Sequence, residues 1–456
     1  MYKKILIASL ALIAGLASCK KDDPTPSPNP PSTLTIDGVA NNLEFYQLDT
    51  AHLSVAGVAK DAAAKAVWVV NGAKAAEGAT FDFTTAHPGK YEITLTVDGK
   101  SAKQTYTVAP RFSEGAFLLN EGNFGNETGS LTYIHPSKKL VIDQAYYRVN
   151  GTKLGNVCQD LAFGNDQIYI LSQLGPKNGG EGLLTIARSN SLEKVKVYND
   201  EALAQSTPTH IAVLRDHIYI RTERDGILRG SSEGGFTPIT GTKKALKQRM
   251  AQIGERLFAL TSDSKVLMIQ GTQVVRELDL SPAKPSGIAV SHDGKLWVST
   301  TSPNAILKID PTPDNFVALD THILDKSISA TGPESWQRTT SSAFFTHGDK
   351  LYFTGQSSVI YCHDFATSKT SQVIDVKTID GVGTSANMYY NSLGVDPSTG
   401  ELYYAAFEGY STYNKKNVTM VLKADGTKLL LKEKVNSFPA GFYFIPNAAS
   451  RTGANQ

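Results

Sequence analysis

An all-β fold follows from three observations. Short runs rich in Val, Ile, Thr, Tyr and Phe recur between clusters of Gly, Asn, Asp and Pro, which is the pattern of strands and tight turns. Helical periodicity is nearly absent, and the exceptions are short; one short helix is expected over 243–250. Finally, a strand–turn–strand unit repeats, in QDLAFGNDQIYILSQ (159–173), THIAVLRDHIYIRTE (209–223), QRMAQIGERLFALTS (248–262), SGIAVSHDGKLWVST (286–300), SSAFFTHGDKLYFTG (341–355) and NSLGVDPSTGELYYAAF (391–407).

Each unit places a small residue in its first strand (Ala162, Ala212, Ala251, Ala289, Ala343, Gly394) and an aromatic in its second (Tyr169, Tyr219, Phe258, Trp297, Tyr352, Tyr403). The aromatics lie 50, 39, 39, 55 and 51 residues apart. Strand-built repeats of this length read as propeller blades. A seventh unit is split. GAFLLNEGN (115–123) matches a second strand, with Phe117 lying 52 residues before Tyr169, and no first strand precedes it. FPAGFYFIP (438–446) is similar to KPSGIAV (284–290), so the C-terminus is expected to supply the innermost strand of the first blade and close a seven-bladed β-propeller over 110–449. Closure removes open strand edges, and small inner residues suit strands that converge on an axis.

Residues 34–109 read as a separate small β-sandwich, with alternation in AVWVVNG (66–72), ATFDFTT (79–85), YEITLTVDG (91–99) and KQTYTV (103–108). Trp68 and the turn His87-Pro88-Gly89-Lys90-Tyr91 resemble immunoglobulin-like or polycystic-kidney-disease-type modules. The inter-sheet disulfide of such modules is missing, so the core is expected to rest on Trp68, Phe81, Phe83, Tyr91 and Val97.

The N-terminus reads as a lipoprotein leader. Lys3 and Lys4 precede an apolar stretch, and Leu16-Ala17-Ser18 lead to Cys19 in KILIASLALIAGLASC (4–19). A stretch this short is a processed signal (1–18), not a span, and Cys19 becomes the lipidated residue, which anchors the chain by acyl groups. The Pro-dense segment 19–33 (KKDDPTPSPNPPST after Cys19) is an extended tether.

Composition narrows the function. The 456-residue chain carries 45 basic and 43 acidic residues, a net charge of +2, and so has no electrostatic signature for nucleic acid. Of three cysteines, lipidation takes one; Cys158 and Cys362 fall in non-adjacent repeats and are expected to be free and buried. No metal-ligand cluster, cofactor motif or nucleophile motif is visible.

Within a repeat, let the strands run A to D from the axis outward. The A–B turns are short, while long decorated loops gather on the other face: B–C loops 120–130, 172–182 and 407–417, and D–A loops 147–159, 331–341 and 384–392. Function concentrates on such loops. The expected ligand-binding residues are Asn123, Phe124, Gln173, Arg224, Trp336, Arg338, Tyr389, Tyr390, Tyr410 and Tyr413. Aromatic plates with neutral amides suit a large flat ligand rich in amides or hydroxyls, such as a corrinoid or a glycan. Glu121 reads as a turn cap, and the acids of this face (Glu121, Glu181, Glu223, Asp225, Glu334, Glu408) are scattered over different repeats.

The repeats resemble the surface-layer-type seven-bladed propellers of bacteria. FLLNEGNFGNETGSLTYIHP (117–136) and the Cys-Lys-Lys-Asp-Asp start are similar to surface lipoproteins of Bacteroidetes-type bacteria. Some relatives of that family capture cobalamin and sit on TonB-dependent outer-membrane transporters. The resemblance implies a non-enzymatic capture protein, lipid-anchored in the outer membrane and exposed at the cell surface, that passes a small-molecule nutrient to such a transporter. Two other readings stay open: an enzyme acting on polysaccharide through paired channel carboxylates, and a protein-interaction scaffold.

Overall fold

The computed structural model describes residues 33–38, 45–124, 126–328, 344–355, 357–388 and 393–446. The leader, Cys19 and the tether up to residue 32 lie outside the described residues. By its internal contacts the chain divides into a smaller unit, which includes 51–83 and 91–105, and a larger one, which takes in 45–50, 84–90 and 106–446. Among the described residues no helix is long and apolar enough to cross a membrane.

The smaller unit is built on two sheets. One runs in the order Lys100–Ala109, Gly89–Val97, Val67–Val70, Ala73–Glu77; the other pairs Thr35–Asp37, Thr50–Ala56 and Thr80–Thr84. Trp68 is fully buried, its indole N–H donates to the Gly78 carbonyl at 2.9 Å, and its ring lies 5.6 Å from Phe81. Phe83 and Val97 are buried with it, whereas Phe81 and Tyr91 are half-buried at the margin. Ile93 and Leu95, on the same strand as Val97, complete the core.

The larger unit is a β-propeller in its organisation: among the described residues, consecutive four-stranded antiparallel sheets, seven in number. Their inner strands are Pro439–Phe444, Asn156–Gly164, Pro208–Leu214, Ala251–Ile253, Pro285–Val290, Phe344–His347 and Leu393–Val395. The first sheet takes its inner strand from the C-terminus, where Phe442 pairs with Leu118 and Tyr443 with Phe117 on Ala116–Asn120.

The repeated aromatics explain how the sheets adhere. In a strand, alternate side chains face opposite ways. Ile168 and Ile170 therefore pack in the apolar cluster shared with the first sheet, and Tyr169 between them packs in the cluster shared with the third. The same step repeats round the unit. Tyr219, Phe258, Trp297 and Tyr352 each sit in the cluster shared with the following sheet. Tyr403 of the seventh sheet packs with Ala116, Leu118 and Phe442 of the first. All seven aromatics are buried.

Opposite these aromatics stand Ala162, Ala212, Ala251, Ala289 and Gly394. Gly394 has no room for a side chain, since a Cβ there would lie 2.5 Å from the Cβ of Phe442. Two sheets depart from the pattern, with Phe345 opposite Tyr352 and Tyr443 opposite Phe117. Ala343, expected to fill the small position of the sixth repeat, lies outside the described residues. Cys158 and Cys362 are free and buried.

The helix expected over 243–250 does not form; the segment is turn and extended chain. Its backbone is drawn to the neighbouring strand, because Ala245 bridges Thr261 and the Leu246 N–H donates to the Leu260 carbonyl at 2.8 Å. Short helices form instead at Ala145–Asn150 and Glu201–Ser206, the latter capped by Asp200, whose side chain accepts from the Leu203 N–H.

At the axis, three repeats carry different residues at one equivalent position, two before the small residue: Asp160 and His210 on their inner strands and Arg249 just ahead of Ala251–Ile253. Asp160 is buried and accepts three hydrogen bonds, from Arg249 Nε at 3.1 Å, Tyr443 OH at 2.7 Å and the Ile211 N–H at 2.9 Å. The Arg249 guanidinium also lies over the Tyr443 ring at 4.0 Å. Burial pushes the Asp160 carboxyl up, and Arg249 and the other donors oppose it.

Removing one partner of a buried pair strands the other charge. Arg249→Met should therefore cost about 3–5 kcal/mol of stability in urea unfolding, and Asp160→Leu combined with Arg249→Met should recover most of the loss.

The fifth sheet carries a pH signature. Burial alone would raise Asp293 and Asp310, but hydrogen bonds outweigh it. Lys308 and Ser291 reach Asp293, the Thr312 N–H and Lys295 reach Asp310, and both carboxyls are held at about 2, below the ordinary 3.8. Depressed carboxylates stabilise the fold above the unfolded value and lose that contribution as pH falls through the folded one. Asp293→Asn with Asp310→Asn should unfold more easily than the native chain at pH 6. The gap should close between about pH 4 and about pH 2 when urea midpoints are compared.

Candidate functional site

The long loops of the first, second and seventh sheets meet around a cavity of about 450 Å³. It is lined by Glu121, Gly122, Asn123, Phe124, Val157, Gln159, Gln173, Glu223, Lys247, Tyr410 and Phe438. Four residues expected from sequence, Asn123, Phe124, Gln173 and Tyr410, come together here.

Two aromatics stand exposed at the cavity, Phe124 at 62% and Tyr410 at 54%. Tyr410 stacks on Phe438 with ring centroids 5.8 Å apart and an interplanar angle of 26°, and Phe407 packs beneath, 5.1 Å from Phe438. Tyr413 lies behind, 4.5 Å from the Phe438 ring, and braces the wall without lining the cavity. Lys177 places its ammonium 4.8 Å from the Phe124 ring centroid, within reach of the negative ring face.

The polar floor comes from strand ends. Glu121 follows directly on Ala116–Asn120, is only 8% exposed, and accepts from Gln159 Nε2 at 2.9 Å through Oε1. Its backbone is tied to both neighbours: the Glu121 N–H donates to the Phe438 carbonyl at 2.8 Å, and the Cys158 N–H donates to the Glu121 carbonyl at 3.2 Å. Gln159 is 1% exposed, and its Oε1 has no hydrogen-bond partner among the described residues. Lys247 Nζ lies 3.8 Å from Glu223 Oε1, with the lysine side chain 11% exposed. Burial, followed by the Glu121 carboxylate, pushes the Tyr410 phenol up, and the same two causes push the Cys158 thiol up.

Two lining residues hold unusual backbone. Val157 has φ 56° and Phe438 φ 53°, and a β-branched residue there is a true outlier. Each is followed by a register shift as the inner strand begins, between Cys158 and Asp160 and between Pro439 and Gly441. Such bulges re-aim side chains at sheet ends, here at the strand starts that border the cavity.

The remaining sequence expectations fall elsewhere. Arg224 is exposed in the turn between His217–Thr222 and Gly226–Ser231 and does not line the cavity; its neighbour Glu223 does. Trp336, Arg338, Tyr389 and Tyr390 lie outside the described residues. Glu121, read as a turn cap, is a cavity wall instead, because the chain leaves its strand there and turns over the axis. Val157 and Gln159 end the long loop 147–159 but were not among the expected ligand-binding residues, and Lys247 and Phe438 lie outside the long loops. The repeat alignment does carry a signal for two of them. Gln159 and Gln248 occupy one equivalent position, and Cys158 and Lys247 the one before it.

Other acids of this face are engaged by lysines. Lys194 reaches Glu181 at 2.5 Å and Lys416 reaches Glu408 at 2.9 Å.

Against solved structures, the chain is similar to a quinoprotein alcohol dehydrogenase-like protein from Bacteroides thetaiotaomicron. The TM-score is 0.57 at 15% identity, covering 92% of this chain and 98% of that one. It is also similar to the WD40 β-propeller domain of Doa1 (TM-score 0.42, 10% identity, 60% and 82% covered) and to virginiamycin B lyase from Staphylococcus aureus (TM-score 0.36, 11% identity, 82% and 98% covered). Of these only the first likeness carries an argument, and at 15% identity it speaks for fold alone. No curated protein matches the sequence. The family model described as a domain of unknown function (DUF5074) matches residues 114–446, most of the chain and nearly all of its propeller, and the protein belongs to that family.

Proposed function

We propose that this protein is a non-enzymatic ligand-capture lipoprotein. In this reading a seven-bladed propeller behind an immunoglobulin-like module is held to the outer membrane through lipidated Cys19. It takes a small nutrient on its loop face and passes it to a TonB-dependent transporter. The observation that carries the proposal is the cavity. Exposed Phe124 and Tyr410, with Phe438, supply apolar faces, and the amides of Asn123, Gln159 and Gln173 surround them. A volume of about 450 Å³ falls among small-ligand pockets. A sugar ring fits within it. A corrinoid is larger and would seat one amide-bearing edge, with the rest of the macrocycle over the mouth.

Pairing of the face acids supports capture over catalysis. Glu181 and Glu408 are held by lysines, and Glu223 faces Lys247. The polysaccharide-enzyme reading keeps one supporting observation, that Glu121 and Glu223 line the same cavity; Glu121→Gln abolishing turnover of a glycan would favour it. Trp336, Arg338, Tyr389, Tyr390, Arg224 and Tyr413 enter the proposal on sequence grounds.

Calorimetric titration of the full chain with cyanocobalamin and with a panel of oligosaccharides tests the proposal. Binding by one class is expected. Phe124→Ala with Tyr410→Ala should weaken it at least about 30-fold, about 2 kcal/mol, with the melting temperature of the free protein unchanged because both rings are exposed. Undiminished affinity in that variant would move the site off this cavity.

A further inference from the structure

We infer that Gln159 is the specificity-determining residue of the cavity, its Oε1 accepting a hydrogen bond from a hydroxyl or carboxamide donor on a ligand whose apolar face rests on Tyr410. This deepens the capture reading and rests on it. An amide has one acceptor end and one donor end, and the contact with Glu121 fixes which is which. An ionised carboxylate only accepts, so the Gln159 atom 2.9 Å from Glu121 Oε1 is the donor Nε2. Oε1 is thereby turned away from that oxygen. Glu121 keeps the orientation because its own backbone is fastened on both sides, to Phe438 and to Cys158.

The Oε1 so placed is buried and has no hydrogen-bond partner among the described residues. Leaving a buried acceptor unmet is costly, and in folded proteins such groups are met by a neighbour, a water or a ligand. Gln248, at the equivalent repeat position, also has an unmet Oε1, but it does not line the cavity. Among the described lining residues Gln159 alone brings a buried, unmet side-chain polar atom to the cavity. Selectivity follows from the chemistry of that atom. An N–H or O–H completes it, a deprotonated oxygen sets lone pair against lone pair, and a hydrocarbon leaves it unmet. A site built around a hydrogen bond rejects analogues that lack the donor far better than an apolar pocket rejects a missing methylene. Tyr410 sets the other requirement. It is exposed and stacked on Phe438, with Phe407 packed against the same ring, so it is a braced plate for an apolar face. Hydroxyls beside the C–H face of a sugar ring meet both requirements, and so do the carboxamides along the edge of a corrinoid.

The test is a coupling measurement on the full chain by calorimetry. Cyanocobalamin is paired with its peripheral monocarboxylic acids, in each of which one carboxamide has become a carboxylate, and cellobiose with its fully O-methylated form. Which parent binds tells the carboxamide source from the hydroxyl source. That parent should lose at least about tenfold in Gln159→Met, the size of one hydrogen bond. In the native chain a donor-deleted derivative should bind at least about tenfold more weakly than its parent, and in Gln159→Met that gap should close. A residue that only shaped the wall would weaken parent and derivative alike. Gln159→Asn, which withdraws the amide by one methylene, serves the same comparison if Gln159→Met does not fold. Equal binding of parent and derivatives to the native chain, or a gap that persists in the variant, would overturn the assignment. The capture reading would stand without it where Phe124→Ala with Tyr410→Ala still weakens the parent. Failure of both parents to bind would overturn the assignment and the capture reading together.

Discussion

The contact on which the rest of the larger unit depends is the buried triad at its axis, Asp160 with Arg249 and Tyr443. Each member comes from a different sheet, and the Ile211 N–H adds a fourth. Inner strands that converge leave little space, so most repeats present alanine or glycine opposite their aromatic. Tyr443 breaks that pattern in the first sheet, and its phenol meets an acid and a guanidinium set two positions before Ala162 and Ala251. Relative to packed apolar residues a buried ion pair adds little net stability. What it specifies is arrangement. Three donors satisfy one carboxylate only when four inner strands stand in one spacing.

The cavity is built on the residues next to that triad. Gln159 precedes Asp160, and Lys247 and Gln248 precede Arg249. Phe438 enters the strand that carries Tyr443. The positive φ of Val157 and Phe438 belongs to the same design, because each turns the chain sharply from loop into inner strand at the cavity rim. Strain of this kind persists only where the surroundings over-determine it. Here they do: the Glu121 N–H donates to the Phe438 carbonyl, and the Cys158 N–H donates to the Glu121 carbonyl, so one strand exit and two inner-strand starts are tied by backbone alone.

What the sequence disclosed follows from the same division. The repeated aromatics were legible because a strand must bury one face against each neighbouring sheet, and Tyr169 or Trp297 at a fixed distance from a small residue records that demand. Phe124 and Tyr410 were legible because long polar loops have no folding reason to carry bare rings. Residues 243–250 were misread because Lys, Ala, Leu and Gln are good helix formers in isolation, while the tertiary structure needs the segment extended to deliver Lys247 and Arg249. Arg224 and Glu223 share one turn, and only Glu223 lines the cavity, since a turn presents neighbouring side chains in different directions. Glu121 and Gln159 escaped notice as a pair because each is an ordinary polar residue at a strand end, 38 positions apart. Only the fold brings their side chains to 2.9 Å.

Closure and site are therefore one problem for this chain. The Ser437 N–H donates to Asn120 Oδ1 at 3.0 Å across 317 positions, and Ser437 Oγ donates to Glu127 at 2.8 Å. These bonds fasten the last inner strand to the loop that carries Asn123 and Phe124. Asn120 is almost fully buried, and its amide N–H groups reach Ser130 and Thr132, so it serves the joint and not the cavity. Phe438 becomes a wall only once that joint is made. The first and last parts of the propeller thus share the cavity, and a chain that has not closed its ring lacks the Phe438 wall on which Tyr410 stacks. Anything that bound the closed cavity and not the open chain would stabilise the closed state by mass action.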